Sequence, residues 1–256
     1  MLNIVVPMAG RGDRFQRAGY ALPKPLIPVG DRPMIELVID NLTPSIKHRF
    51  IFICQRKHLV DFGLEVLLRS ATDGAVVIGL DSITEGPACT VLTAREYIDN
   101  HDALMIANCD QFVDASIDDY LAAMEKPPLD GLIMTMTAAN PKWSFVALDE
   151  RRQVTRVVEK EVISDEATVG IYNFRRGADF VTGVEAIIDR DERVNNEFYV
   201  APVYTELVNR GKQIGVFNVG AEANGMYGLG IPEDLELFLS PVIQQRLIHR
   251  LGERCR

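Results

Sequence analysis

From residue 3 to residue 108, short apolar runs alternate with amphipathic stretches, and no other property of the chain narrows its fold so far. Strands are expected at 3–7, 49–54, 75–81 and 103–108, and helices at 33–43, 58–70 and 87–99. A strand covered on both faces reads as a continuous apolar run, whereas a helix lying on a sheet carries apolar residues at a period near 3.6. The alternation predicts an α/β fold, a Rossmann-like, mainly parallel mixed sheet flanked by helices, with ligands beyond the carboxyl ends of the strands. After residue 126 the pattern changes. Gly131–Met136, Ser144–Leu148, Val154–Val158 and Thr168–Tyr172 read as strands separated by short turns, hence antiparallel additions in the second half. Helices are expected near 177–188 and 201–210, a strand near 214–218, and helical segments from 232 onward. With no repeat, low-complexity tract or linker, residues 1–256 read as a single domain.

The first apolar run, Ile4-Val5-Val6, opens into Met8-Ala9-Gly10-Arg11-Gly12-Asp13-Arg14-Phe15, and Pro23-Lys24-Pro25-Leu26 follows. A buried strand thus delivers a glycine-bearing loop with two arginines. Gly10 and Gly12 let backbone N–H groups approach an anion with no Cβ in the way. Arg14 can donate a forked pair of hydrogen bonds to phosphate oxygens, and Lys24 adds a compact charge on backbone stiffened by two prolines. Three familiar phosphate loops fail here at nameable positions. The Gly-Lys-Ser/Thr ending of the P-loop is absent. The dinucleotide fingerprint needs a glycine where Phe15 stands and an acidic residue after the second strand, where Phe50-Ile51-Phe52-Ile53-Cys54 runs into Gln55-Arg56. The kinase glycine loop lacks its lysine strand and catalytic loop. The plain alternative is a strand-to-helix turn with surface arginines.

Thirty-six acidic residues against 27 basic ones leave a formal net charge of −9, which argues against a nucleic-acid partner, because counterion displacement needs a basic face. Any nucleotide bound is then a small molecule. No apolar run reaches the roughly 18 residues that span a bilayer, and the chain opens on a strand rather than a signal segment, so a cytoplasmic protein with no membrane partner is expected. Cys54, Cys89, Cys109 and Cys255 are scattered singly, which predicts neither a zinc site nor a disulfide framework and leaves Cys54 and Cys109 as core thiols.

Other polar groups fall where such a sheet presents them to a ligand. Asn108-Cys109-Asp110 ends the strand at 103–108, so Asp110 reaches the same carboxyl edge as the glycine loop. Mg²⁺, which takes one or two carboxylates plus phosphate oxygens and water, suits that place, and a turn aspartate is the alternative. Thr84-Glu85-Gly86-Pro87-Ala88-Cys89-Thr90 opens a helix with proline in its first turn. Val157-Val158-Glu159-Lys160 closes a strand on a charge pair, solvated or functional. Asn195-Asn196-Glu197-Phe198-Tyr199 is a polar-aromatic turn whose amides and carboxylate suit substrate hydroxyls or amides.

In this order the motifs resemble those of the sugar-nucleotidyltransferases, the nucleotide-sugar pyrophosphorylase family, from residue 3 to about 236. The resemblance implies a GT-A-like nucleotidyltransferase fold, with a nucleotide-binding part near 1–126, an acceptor-binding part near 127–238 and a C-terminal helix near 239–256. It implies Mg²⁺-dependent attack of an acceptor phosphate oxygen on the α-phosphorus of a nucleoside triphosphate. It assigns Ala9, Gly10, Arg11 and Gly12 to the nucleotide, with Gly86 and Ala88 at the base. Arg14 meets the departing phosphates, Lys24 bridges α-phosphate and acceptor, and Lys160 meets the acceptor phosphate. Glu159, Gly170 and Tyr172, with Asn195 and Asn196, form the acceptor side, and Asp110 holds the metal. The chain departs from the family where a second metal-binding aspartate precedes a Thr-Gly, since Met226-Tyr227-Gly228-Leu229-Gly230 puts Gly228 there. Glu197 is the candidate substitute. This ending, with the turns at 85–90, 141–144 and 195–199, is similar to a branch found with capsular and surface polysaccharide clusters. At least one member of that branch is similar to cytidylyltransferases that activate a phosphorylated amino-acid amide rather than a sugar. CTP is therefore the favoured donor and a small phosphorylated molecule the acceptor.

Two other readings share parts of the pattern. A glycosyltransferase on a similar sheet binds metal through Asp-x-Asp, but the triplet Asp189-Arg190-Asp191 follows an apparent helix. A nucleotide-sensing module that keeps the pocket without turnover is kept open by the missing aspartate at 228. The C-terminal stretch sets Ile243, Leu247, Ile248 and Leu251 against Arg246, Arg250, Arg254 and Arg256, an amphipathic helix for its own domain or for a homo-oligomer contact.

Overall fold

The apolar run at the N-terminus forms a strand flanked on both edges by other strands and on both faces by side chains from helices, so Ile4, Val5 and Val6 are fully buried. The computed structural model describes residues 1–254, with side chains to residue 248. Cys255, Arg256 and the side chains of Arg250, Leu251 and Arg254 lie outside the described residues. In chain order the first half comprises β1 (Leu2–Met8), α1 (Asp13–Arg17), a 3-10 turn (Lys24–Leu26), β2 (Pro28–Val29), β3 (Arg32–Pro33), α2 (Met34–Leu42) and β4 (His48–Gln55). It continues through α3 (Arg56–Asp61), α4 (Leu64–Ala71), β5 (Val76–Leu80), α5 (Pro87–Leu92), α6 (Arg95–Ile98) and β6 (Ala103–Ala107). Then follow β7 (Gln111–Val113), α7 (Ile117–Ala122), β8 (Gly131–Thr137), β9 (Ser144–Leu148), β10 (Val154–Glu159), β11 (Glu166–Phe174) and α8 (Gly177–Asp189). The chain closes with α9 (Val203–Asn209), β12 (Ile214–Glu222), β13 (Gly225–Gly228), α10 (Pro232–Leu239) and α11 (Pro241–Arg254).

An 11-stranded sheet runs β5-β4-β1-β6-β11-β8-β12-β13-β7, with β9 on β11 and β10 on β9. β5, β4, β1 and β6 are parallel, as the alternation predicts. β11 runs antiparallel to β6, β8 and β9, and β10 to β9, so the expected additions are present. β12 pairs parallel to β8. Because β4 and β5 lie to one side of β1 and β6 to the other, the chain order reverses beside β1, and a crevice opens at the carboxyl ends of β1 and β6. Successive side chains point to opposite faces of a strand. Ile4, Val6, Phe50 and Phe52 accordingly join one core, and Val5, Ile51 and Ile53 the other.

Three differences from the sequence pattern stand out, and the first two have local causes. The helix expected over 58–70 is divided into α3 and α4 at Gly63, whose φ of 62° ends one helix and starts the next. The helix expected over 87–99 breaks at 93–94, where the Thr90 and Thr93 hydroxyls bond back to the carbonyls of Gly86 and Thr90 at 3.2 and 2.7 Å. Ile248, expected on the buried face of the last helix, is exposed, whereas Ile243 and Leu247 pack with Phe15, Tyr227 and Phe238. Cys54 and Cys109 are buried, and burial pushes their thiols up to about 12 and about 11. No helix among the described residues is long and apolar enough to cross a membrane.

Candidate active site

The loop leaving β1 is held from behind. Gln55, at the end of β4, donates from Nε2 to the carbonyls of Ala9 at 3.2 Å and Gly10 at 2.8 Å. Gly12 adopts φ 69°, which turns the chain into α1, and Phe15 roots that helix in the core. A Cβ at Gly10 would meet no atom within 4 Å, so the glycine faces open space. Arg11 and Arg14 are exposed, and among the described residues neither guanidinium is held by a partner, which leaves both free for an anion.

Opposite the loop, Lys24 Nζ donates to Asp110 Oδ2 at 2.8 Å, with both side chains about three-quarters covered. Burial disfavours the ammonium, yet the adjoining Asp110 carboxylate outweighs it and holds Lys24 above the ordinary lysine range. The pairing of β13 with β7 sets Gly228 beside Gln111, and the Leu229 N–H then donates to the Asp110 carbonyl at 2.8 Å. A Cβ at Gly230 would come within 2.6 Å of Asp110 Oδ2, so this glycine makes room for the carboxylate. Such a donor set fits Mg²⁺, which binds few carboxylates and fills its remaining positions with phosphate oxygens and water. Among the described residues no three His, Cys, Asp or Glu side chains group as a metal cage.

The turn before α5 and the turn before α9 are bonded to each other. Phe198 N–H donates to the Glu85 carbonyl at 2.8 Å, and Ala88 N–H to the Phe198 carbonyl at 3.0 Å. Gly86 adopts φ 129°, and a Cβ there would lie 2.5 Å from the Phe198 carbonyl oxygen. Gly86 shares a cavity wall with Ala9, Gly10, Thr84 and Asn108. Ala88 is fully buried with its N–H taken, and packs behind that wall.

On the remaining side, the buried Glu159 carboxylate accepts from the Ser144 hydroxyl, and burial raises its pKa against the opposing pull of Ser144 and Lys160. Lys160 takes φ 57°, and its Nζ donates to the Tyr199 hydroxyl at 2.6 Å, which donates on to Glu197 Oε2 at 2.7 Å. Asn195 and Asn196 also lie in the left-handed region, at φ 49° and 63°. Tyr172 is 8% exposed, with its hydroxyl 2.9 Å from Thr168 Oγ1. Gly170, at φ 80°, leaves space for Asn108, whose Nδ2 a Cβ would approach to 2.1 Å. Both residues therefore stand behind the site. Sequence reading overlooked Gln55, Asn108, Tyr199 and Gly230 as site residues. Gln55 was visible as a polar residue closing an apolar strand, and Tyr199 as an aromatic beside three polar residues; nothing local distinguishes Gly230.

The glycine-arginine loop, Lys24, Asp110 and the turn at 195–197 meet in a cavity of about 590 Å³ lined by Gly10, Arg11, Gly12, Arg14, Lys24, Asp110, Asn195, Asn196 and Glu197, among others, whereas Glu159, Lys160, Gly170, Tyr172 and Tyr199 are not among its lining residues. Asp189 and Asp191 are absent from its lining, and Asp191 is paired with Arg193.

A family model described as Nucleotidyl transferase matches residues 4–204. The Bifunctional protein GlmU of Methanocaldococcus jannaschii is 22% identical over 197 residues, covering 75% of this chain and 44% of the relative. The chain spans about half the length of the curated relatives it matches. Two solved structures share the fold. One is the nucleoside-diphosphate-sugar pyrophosphorylase from Vibrio cholerae RC9, with a TM-score of 0.78 at 24% identity over 92% of this chain and 99% of that one. The other is the inositol-1-phosphate CTP transferase from T. maritima, with a TM-score of 0.65 at 14% identity over 92% and 94%. The glycine-arginine loop, Lys24, Asp110 and the turn at 195–199 all lie within the matched residues, and the chain belongs to the nucleotidyl transferase family.

Proposed function

We propose that the protein couples a nucleoside triphosphate, CTP in preference, to a sugar 1-phosphate or another small phosphorylated acceptor, releasing pyrophosphate and an NDP-conjugate for surface polysaccharide synthesis in the cytoplasm. The observation that carries this reading is the single cavity on which the glycine-arginine loop, the Lys24–Asp110 pair and the turn at 195–199 all open. The preference for CTP and the polysaccharide role rest on the variant ending at Gly228 and the turns resembling the cytidylyltransferase branch.

Catalysis in this scheme is alignment and charge neutralisation rather than covalent chemistry. Arg14, exposed and unpaired, takes the β- and γ-phosphates as they depart. Lys24 exchanges its bond with Asp110 for oxygens of the α-phosphate and acceptor. Lys160 holds the acceptor phosphate. Mg²⁺ held by Asp110 would offset charge on the triphosphate. Gly10 and Gly12 admit the phosphates to backbone N–H groups.

Thermal-shift titration with Mg²⁺ and each of CTP, UTP, GTP, TTP and ATP tests the donor. At a hundredfold excess over Kd, the true donor adds about 2.7 kcal/mol. Asp110→Ala is expected to lose the Mg²⁺-dependent part of that gain. Pyrophosphate release across a panel of sugar 1-phosphates and phosphorylated amides then identifies the acceptor. A shift with a nucleotide sugar and none with any triphosphate would give the site to a glycosyltransferase; binding without pyrophosphate release would make it a sensing module.

A further inference from the structure

Tyr199 lies between Lys160 and Glu197, and its single proton decides which way the link runs. A phenol has one O–H to donate and lone pairs to accept. The proton goes to Glu197 Oε2 at 2.7 Å, so the oxygen is left to accept from Lys160 Nζ at 2.6 Å. The same ammonium lies 4.5 Å from the centre of the Tyr199 ring, a second hold on the charge. Lys160 Nζ is also 3.9 Å from Glu159, whose carboxylate already accepts from Ser144.

The backbone around this link is constrained. Lys160 is a non-glycine residue at φ 57°, a conformation that costs about 1 kcal/mol and persists only where its surroundings enforce it. Its N–H donates to the Trp143 carbonyl at 3.0 Å. Tyr199 sits between Phe198 and Val200, 1% and 5% exposed, which anchors the backbone that carries the ring. An ammonium has three protons, and the phenol occupies one of them.

We propose that Tyr199 is a positioning residue, oriented by Glu197, that holds the Lys160 ammonium in place for the phosphate of the acceptor. The assignment rests on the nucleotidyltransferase reading and gives Glu197 a role in orientation rather than metal binding. Nothing in the sequence connects residues 160 and 199; the packing of α9 on β10, where the Thr205 hydroxyl bonds both the N–H and the carbonyl of Val157, brings them together.

Acetylation of Lys160 by an N-hydroxysuccinimide ester, read by peptide mass spectrometry against rising inorganic phosphate at constant ionic strength, tests it on the full chain. Phosphate is expected to protect Lys160 in the unmodified protein. Tyr199→Phe keeps the ring but not the hydroxyl, and is expected to need about tenfold more phosphate, the effect of one charge-assisted hydrogen bond. Glu197→Ala should behave like Tyr199→Phe, whereas Glu197→Gln, whose amide oxygen still accepts from the phenol, should stay near the unmodified protein. Equal protection midpoints in the unmodified protein and Tyr199→Phe would overturn the positioning role and leave the nucleotidyltransferase reading intact. No protection in any variant would remove the phosphate role of Lys160, and both would fall on the acceptor side. If Glu197→Ala leaves Lys160 protection unchanged but raises the Mg²⁺ needed for a triphosphate thermal shift, Glu197 serves the metal and the positioning role is wrong.

Discussion

Gly10 and Gly86 share a cavity wall, but for different physical reasons, and alanine separates them. Gly10 faces open space, so Gly10→Ala should change stability by no more than about 0.5 kcal/mol while weakening triphosphate binding about tenfold or more, because its methyl stands where an anion approaches. Gly86 combines φ 129° with a contact to Phe198, so Gly86→Ala should cost about 2–4 kcal/mol in urea denaturation. If Gly10→Ala bound triphosphate normally, the loop would not be a phosphate cradle. Arg14→Ala should keep its melting temperature and lose turnover by about two to four orders of magnitude, and Lys24→Ala should lose as much. Near-normal rates in either would refute its role. His58 belongs to a different question. Its Nδ1 has no hydrogen-bond partner among the described residues, and burial, then the neighbouring Lys57, lower its pKa. The folded state then binds fewer protons than the unfolded one, so this contribution is intact above the ordinary histidine pKa of about 6.5 and is lost as pH falls below it. Tm should fall from pH 7 to pH 5 less steeply in His58→Gln; identical slopes would show that His58 is not the group responsible.

Elements long enough to show a period were legible, and the short ones that complete the site were not. β1, β4, β6 and β11 declare themselves because several consecutive apolar residues are needed to fill two cores, and each of those strands lies within the sheet. β7 and β13 have three and four residues, too few for alternation to register, yet their pairing brings Gly230 to Asp110. The last helix illustrates the limit of a periodic pattern. Its sequence shows an apolar face, and the structure adds that Ile243 and Leu247 bury in the same core cluster as Phe15, the residue rooting the helix after the glycine-arginine loop. Leu247→Ala should therefore cost about 2–4 kcal/mol, as a buried leucine does, and loosen triphosphate binding with it. A variant as stable as the unmodified protein would show that this helix does not brace the loop.

At the scale of the molecule, the site is a seam between the parallel half of the sheet and the antiparallel half. The bonds from Phe198 to Glu85 and from Ala88 to Phe198 cross that seam. A triphosphate bound at the loop should accordingly slow amide hydrogen exchange at 84–90 and also at 195–199 with no acceptor present. Protection confined to the loop would mean that the two sides move independently. By itself the sequence determined the α/β class and the parallel core, because strand burial and helix period are local properties. It also placed Asp110 at the right edge, since the end of a buried strand is visible from its apolar run. Only the tertiary structure decided that Lys24 is paired with Asp110, that Gly86 is small because Phe198 presses on it, that Gly170 makes room for Asn108, and that Lys160 reaches Tyr199. Those contacts join residues far apart in the chain, and their energies depend on distances that packing sets and no local pattern encodes.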